Sequence, residues 1–497
     1  MGNKASCFNE DDLIDDNPLN KSEREALQKK FNGIFISGSS MEENKNRFLA
    51  EFESKEIPHF ATSIYDACRE VDSEPSFLRF QKFAIDVSRS TSSNIIRKIW
   101  ALVCTNPSPI AGHSRTTIFL QLMLECSLCE SHNLAVTAAR LTEHLEYVSS
   151  ASGNRNKHRD VGGVLNSEVD PNAVMDSETE LSGLIDWVNE YAPHAAKVFV
   201  TFFNHKLFPD VEMQGGYKPF VPPLIDPDEG SDIVRSSCDL MPLALYDINL
   251  QGRWKRLYTT QQDGLSFNRI AHHILGYGGP NIILIRCAGS GIVLGAYNED
   301  SWKESNRFYG SCVSFLFTLM PHMHVFRSKS NSNNAYQWLN LKSYGMPHGL
   351  GMGGDLEKFR LYLPDTLEGC TARSNCLTFE TGSFFHDYRK AAKTEGGTEG
   401  APQGPDFDID VMEVWGCGGE VCLQQALQAQ AKDRGDRDAL IQKARQVDKA
   451  QFANNTFDQE FLLGKTFAHK VRMADDACDH VSDGKVGKGG VPASRVV

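Results

Sequence analysis

Apolar residues recur every three or four positions along the first third of the chain, and that period predicts helices. In PLNKSEREALQKKFNGIF, Leu27, Phe31 and Ile34 share one face. In IPHFATSIYDACREV the set is Phe60, Ile64 and Cys68, and in SFLRFQKFAIDV it is Phe77, Phe80, Ala84 and Val87. SNIIRKIWALVC, TTIFLQLMLEC and LAVTAARLTEHLEYV extend the series, the last with Leu134, Ala138, Leu141 and Leu145 in line. Residues 18–148 therefore read as an all-α region of paired helices. The period is lost over 149–178, which reads as a flexible loop. It returns over 179–210, in ELSGLIDWVNEYAPHAAKVFVTFFNHKLF, and the proline-rich stretch 211–231 reads as a linker ending near Asp232.

Beyond Asp232 the period shifts toward two. KRLYTT, NIILIRC, GIVLGAY, VSFLFTL, HVFRS, AYQWLNL, KFRLYLP, LTFE and VMEVWG are short strand candidates between turn formers. Among them only SFNRIAHHILGY, with Phe267, Ile270, Ile274 and Leu275 on one side, reads as a helix. Residues 232–420 thus form a strand-rich α+β unit, with KTEGGTEGAPQGPD as a low-complexity surface insertion. From 421 to 475 the chain is helical again. EVCLQQALQAQAKDRGDRDALIQKARQVDKAQF is mostly charged or Ala/Gln around a thin apolar stripe, as in a solvated helix or one awaiting a partner. Residues 476–497 read as a disordered tail.

Composition narrows the function classes. With 497 residues, 41% of them hydrophobic, there is material for two or more domains with a core each. A formal charge of −13 repels phosphate backbones and anionic lipid, so nucleic acid is not an expected partner. No run of eighteen apolar residues occurs, and any membrane contact is expected to be peripheral. Thirteen cysteines, an odd number without a secretory leader, argue for reduced thiols in the cytosol. Cys126 and Cys129 make one CxxC, but no second pair accompanies it at zinc-site spacing, so both read as buried helix cysteines.

The first seven residues, MGNKASC, match the pattern for N-terminal acylation: Gly2 after removal of Met, Ser6 in the preferred position, Cys7 beside it. One myristoyl chain anchors only marginally, and Glu10, Asp11, Asp12, Asp15 and Asp16 would be repelled by an anionic leaflet. The second signal is then palmitoylation of Cys7 or a protein already on the membrane. Further on, REVDSEPSFLRFQKF has the helix, acidic loop, helix order of an EF-hand. Counted from Asp72, however, the glycine position is Phe77 and the glutamate position is Phe83. The region is EF-hand-like in geometry, and no metal is expected.

GLGMGG fits G-x-G-x-x-G through Gly349, Gly351 and Gly354, yet no apolar strand feeds it and no G-K-[ST] follows. It leads into the strand FRLYLP, so the glycines are expected to serve backbone shape, with Gly353 and Gly354 structural and no nucleotide or other cofactor bound. Ser266 with His272 or His273, Cys312 with His322 or His324, and Glu413 are the residues from which a hydrolase would be built. The chain holds no G-x-S-x-G elbow, H-E-x-x-H or paired-carboxylate signature, so no catalytic residue is expected and a hydrolase remains the alternative.

LYTTQQDGLSF (257–267), GIVLGAY (291–297) with Trp302 after it, SFLF (314–317), GLGMGG (349–354), CLTFE (376–380) and MEVWGCGG (412–419) together resemble the TLDc family, the oxidation-resistance type domain. The residues that match its motifs are Asp263, Gly264, Ser266, Phe267, Gly295, Trp302, Gly353, Gly354, Glu413 and Trp415, in structural or partner-binding roles. Leu294 stands where the family commonly has Phe. The whole plan is similar to the myristoylated, lysosomal mTOR-associated branch, in architecture over 1–470 and in motif detail over 232–420. The resemblance implies a multidomain chain: an EF-hand-like helical half, a TLDc domain with a β-sandwich core flanked by helices, and a C-terminal helix. It also implies a regulator without established enzymatic activity that binds the vacuolar-type proton ATPase and is tied to oxidative-stress resistance and nutrient signalling. Such a protein would sit on lysosomal, vacuolar or other endomembranes, engage the ATPase through its C-terminal helix and meet TOR-pathway proteins. A TOR-type signalling scaffold without ATPase contact is the other reading.

Overall fold

A computed structural model describes residues 18–454, apart from 55–56, 58, 70–72, 105–113, 128–133, 158–176, 210, 212–217, 226–228 and 386–405. Helix α1 (Lys21–Ile34) opens with a capping box: the Asn20 side chain accepts from the Glu23 N–H, and the Glu23 carboxylate accepts from the Asn20 N–H. Ser40 and Glu43 cap α2 (Met41–Glu51) in the same way. The series continues with α3 (Phe60–Ala67), α4 (Phe77–Ser88), α5 (Ser92–Cys104), α6 (Arg115–Cys126), α7 (Leu134–Lys157), α8 (Ser177–Tyr191) and α9 (Ala195–Leu207). Their apolar faces meet in an aromatic centre, where Phe203 of α9 lies 5.6–6.5 Å from the rings of Phe52, Phe60 and Phe83. Helix α7 runs to Lys157, nine residues past the end of its apolar period, because propagating a nucleated helix costs little where no proline intervenes. Gly2, Cys7, Asp72 and Cys129 lie outside the described residues.

Helix α10 (Ser237–Tyr246) is one that the sequence pattern does not predict. Cys238 to Leu245 are all buried, so the helix is covered on every side and has no amphipathic period to read. Arg140 of α7 bonds Asp239 at 2.8 Å, His194 donates its N–H to the Leu245 carbonyl, and Tyr246 packs edge-on to Phe315 at 4.7 Å. α10 thus joins the helices to a seven-stranded sheet. That sheet runs β1 (Pro223–Ile225), β2 (Gly252–Thr259), β12 (Ile409–Gly416), β3 (Asn281–Cys287), β4 (Val293–Asn298), β5 (Phe315–Met320), β6 (His324–Phe326). β1 pairs in parallel with β2, which turns part of the expected linker into an edge strand. A second sheet has the order β11 (Asp406–Phe407), β10 (Cys370–Ala372), β9 (Phe359–Pro364), β8 (Gly349–Gly354), β7 (Trp338–Asn340).

The large sheet is apolar on both faces, which explains the unbroken run NIILIRC. Ile282, Leu284, Tyr297, Phe315, Phe317, Val411 and Trp415 join the core of the helices. Ile283, Ile285, Leu294, Ala296, Leu316, Met412 and Val414 face the second sheet. The helical half and the sheet therefore share one core, where the sequence reads as two domains. The cause is that a sheet with two apolar faces needs a cover on each.

GLGMGG is itself strand β8, a departure from the expected turn preceding a strand. Leu350 and Met352 point into the sandwich, and the glycines between them lie under the Phe359 and Tyr362 rings, stacked 4.6 Å apart, and the Phe379 ring. At Gly354 (φ 92°) an added Cβ would lie 2.1 Å from the Lys358 carbonyl oxygen, and at Gly353 (φ 68°) 2.6 Å from Phe379. Conformation and lack of space both require glycine there.

The chain leaves β12 through Gly418 and Gly419, both with positive φ, into the C-terminal helix Glu420–Asn454. Leu423 and Ala426 in its first turns pack against Tyr277. Farther along, Leu440 and Ile441 are exposed.

Candidate functional site

Glu413 sits in the middle strand β12, between Thr259 of β2 and Leu284 of β3, and is fully buried. Period two puts it on the face of Val411 and Trp415. Its carboxylate accepts from the Asp232 N–H at 2.6 Å, the Ser231 hydroxyl at 2.7 Å and the Trp415 indole N–H at 2.9 Å. Among the described residues no Lys, Arg or His nitrogen comes within ion-pair reach of it, so hydrogen bonds alone satisfy the carboxylate.

The segment 229–234 is folded over this carboxylate. Ser231 Oγ accepts from the N–H groups of Ile233 and Val234, and the Asp232 carbonyl accepts from Arg286, which also meets Asp410 at 2.7 Å. Glu229 bonds Lys255 and the Arg256 N–H. Ser231 and Asp232 read as a linker end because nothing local distinguishes them. Their partner is 181 or 182 positions away.

A second cluster forms where β2 ends. A bulge leaves Leu257 out of register between Tyr258 and Arg256, and its carbonyl is taken by His273 Nδ1 at 2.8 Å. Helices α11 (Thr260–Asp263) and α12 (Phe267–Ile274) follow, joined by Gly264 at φ 76°. Asp263 accepts from the Thr259 N–H at 3.0 Å and lies 3.4 Å from His273 Nε2, and Tyr258 donates to the Gly264 carbonyl. Ser266 is the N-terminal residue of α12 without a side-chain cap, and Phe267 is buried. Asp263, Gly264, Ser266, Phe267, Glu413 and Trp415 are thus gathered around the β2–β12 ladder.

The four other motif residues lie elsewhere, Gly353 in β8 against the Phe379 ring. An added Cβ at Gly295 would lie 2.1 Å from the Ile283 carbonyl oxygen of the neighbouring strand. Trp302 donates its indole N–H to Asn281 at 2.8 Å. Gly354 bonds Thr378 and Asn333 at the far end of the second sheet.

Arg360 carries no signal in the sequence. On an alternating strand it would face water, yet it is fully buried, with its guanidinium 4.8 and 5.0 Å from the Phe326 and Phe384 ring centroids. It donates to the carbonyls of Arg373, Glu380 and Gly382, and burial lowers its pKa to about 10. It ties residues 373–382 onto the sheet.

Neither hydrolase pair is assembled. Both ring nitrogens of His273 are engaged, by Leu257 and Asp263, and Ser266 makes no bond to either His272 or His273. His322 is held by Glu143 at 2.7 Å, and Cys312 is exposed without a bond to it. Burial pushes the Cys68, Cys287 and Cys370 thiols up to about 12, and those of Cys126 and Cys417 well above their ordinary value. Among the described residues no cluster of three or more His, Cys, Asp or Glu side chains is arranged to hold a metal.

The sequence profile of the TLDc domain family matches residues 234–418, the stretch from the start of α10 to the exit of β12. This chain carries a TLDc domain. Over 167 residues it is 32% identical to the MTOR-associated protein MEAK7 of Danio rerio, a stretch covering 33% of each chain. It is 32% identical over 164 residues to the human Nuclear receptor coactivator 7, and 27% identical over 162 residues to the Xenopus laevis Oxidation resistance protein 1. These matches cover 33% of this chain, and 14% and 16% of the two relatives. The likeness therefore spans about a third of the first relative's length and less of the others. Ser231 and Asp232, which close over Glu413, lie just ahead of the matched TLDc stretch, so this buried glutamate is completed from outside it.

Proposed function

We propose that this chain is a non-catalytic regulator that binds the vacuolar-type proton ATPase on an endomembrane, held there by acylation of Gly2 with Cys7 or a resident protein as the second anchor. The observation that carries the reading is the TLDc domain followed at once by a helix with exposed apolar residues, Leu440 and Ile441. A solvated helix with uncovered apolar side chains fits a groove on a protein partner.

The names of the relatives favour a second reading, a TOR-pathway scaffold that needs no ATPase contact. The two separate by experiment. Full-length protein purified from gently solubilised endomembranes, beside a chain ending at Gly419, is expected to recover the peripheral ATPase subunits only when the helix is present. Recovery of TOR-pathway proteins by both chains, with no ATPase subunits, would overturn the proposal in favour of the scaffold.

A further inference from the structure

The seam between α7–α8 and the edge strand β6 is built from titratable groups. Within six residues, HMHVFR (322–327), three side chains meet the helices: His322 bonds Glu143 at 2.7 Å, His324 stands 5.6 Å from the His144 ring, and Arg327 bonds Glu190 at 2.5 Å over the Tyr191 ring. Glu380 holds Arg327 from the sheet side at 2.9 Å. On α7, Arg140 is paired with Asp239, and Glu143 and Glu146 are exposed. Buried in the middle is His144, with Trp187 and Tyr191 of α8 edge-on to its ring.

One hydrogen bond decides the protonation state of His144. The Trp187 indole N–H can only donate, and it donates to His144 Nδ1 at 3.0 Å, so Nδ1 must carry no proton. A proton there would set two donors against each other and place a cation beside His324 in a site where, among the described residues, no carboxylate meets the ring. From this geometry we propose that the seam is an acid-opened latch: protonation of His144 detaches α7 and α8 from β6 and uncovers the edge of the sheet.

Burial and His324 lower the His144 pKa to about 3, against the ordinary 6.5. The open form therefore binds a proton that the closed form rejects. Below pH 6.5 the closed-to-open ratio falls about tenfold per unit. The His322–Glu143 pair on the same seam joins two solvent-accessible side chains, so it offsets little of the penalty at the buried ring. What opening bares is an edge strand, β6, able to pair with another extended segment.

Hydrogen exchange on the full chain from pH 7.5 to 4.5, corrected for intrinsic rates, tests the latch. Protection of peptides covering 183–191 and 322–327 is expected to fall about a hundredfold and to stay below that of 281–287 in β3 at every pH, because the seam opens without unfolding the sheet. His144→Gln keeps an acceptor for Trp187 but takes up no proton, and should abolish the fall. An equal fall in His144→Gln, seam protection no lower than that of β3, or no fall at all would overturn the proposal. Should the variant not fold, histidine-selective NMR of the unsubstituted chain decides: His144 must stay neutral while the seam is closed, and a His144 that gains its proton below pH 6.5 with the protection of 183–191 and 322–327 retained refutes the latch.

Discussion

Trp415 and Glu413 are two residues apart on one face of β12, and the indole N–H of the first reaches the buried carboxylate of the second at 2.9 Å. A strand places such a pair side by side, and the donors from Ser231 and Asp232 complete it.

Glu413→Ala leaves the buried Trp415 indole N–H and the part-buried Ser231 and Asp232 donors without their acceptor and is expected to cost about 2–3 kcal/mol of stability. Glu413→Gln retains one acceptor oxygen but turns an amide N–H toward the remaining donors, so it should recover only part of the loss. Urea denaturation of both variants checks this. A cost under about 1 kcal/mol for the alanine variant would mean the clasp over the carboxylate contributes little.

Two glycines outside the positive-φ set make a matched comparison. Gly295→Ala drives a methyl group against the Ile283 carbonyl oxygen, while Gly278→Ala meets nothing within 4 Å. The first should cost about 3 kcal/mol or more, or prevent folding, and the second should stay within about 0.5 kcal/mol. Thermal melts of the pair suffice, and equal behaviour would contradict the packing at β3–β4.

GLGMGG as a strand is paired with β7 over Gly349–Gly351 and with β9 over Gly349–Gly354, and it opens no helix whose N–H groups could cradle a phosphate. Adding ATP with magnesium, or NAD, should leave the melting temperature unchanged. A saturable rise would show a nucleotide site of some other construction.

Global stability should also depend on acid. The folded pKa of His144 is lowered, so its contribution is full above the unfolded value near 6.5 and is lost as pH falls toward 3. The slope is about 1.4 kcal/mol per pH unit in that window. His194, lowered by its own burial and by Lys197, shifts stability in the same direction. Chemical denaturation at pH 7.5, 6.0 and 5.0 measures the slope, and His144→Gln should flatten most of it.

Much of the helical half is legible in the sequence because its helices have one wet face: Phe60, Ile64, Phe80, Ala84 and Val87, named from their spacing, are buried. The central strands are legible from their β-branched runs. α10 is hidden by being apolar all round, and β8 by glycine, which lacks the side chains that mark a strand. Arg360 and the Ser231–Asp232 cover depend on partners far along the chain, and no local pattern encodes those. The motif residues could be named from the sequence, but only the fold distinguishes those gathered at the β2–β12 ladder from Gly295, Trp302 and Gly354, which stabilise other parts of the sandwich.

The core shared by the helices and the large sheet bears on how such a domain travels between genes. A recombination event that copied only residues 234–418 would carry α10 along but strip α1–α9 from it, baring an apolar wall that includes Leu240, Met241 and Leu243. In this chain, the smallest portable fragment is larger than the stretch that sequence similarity outlines. An excised domain should need a substitute cover, polar replacements on that wall, or a standing partner to remain in solution.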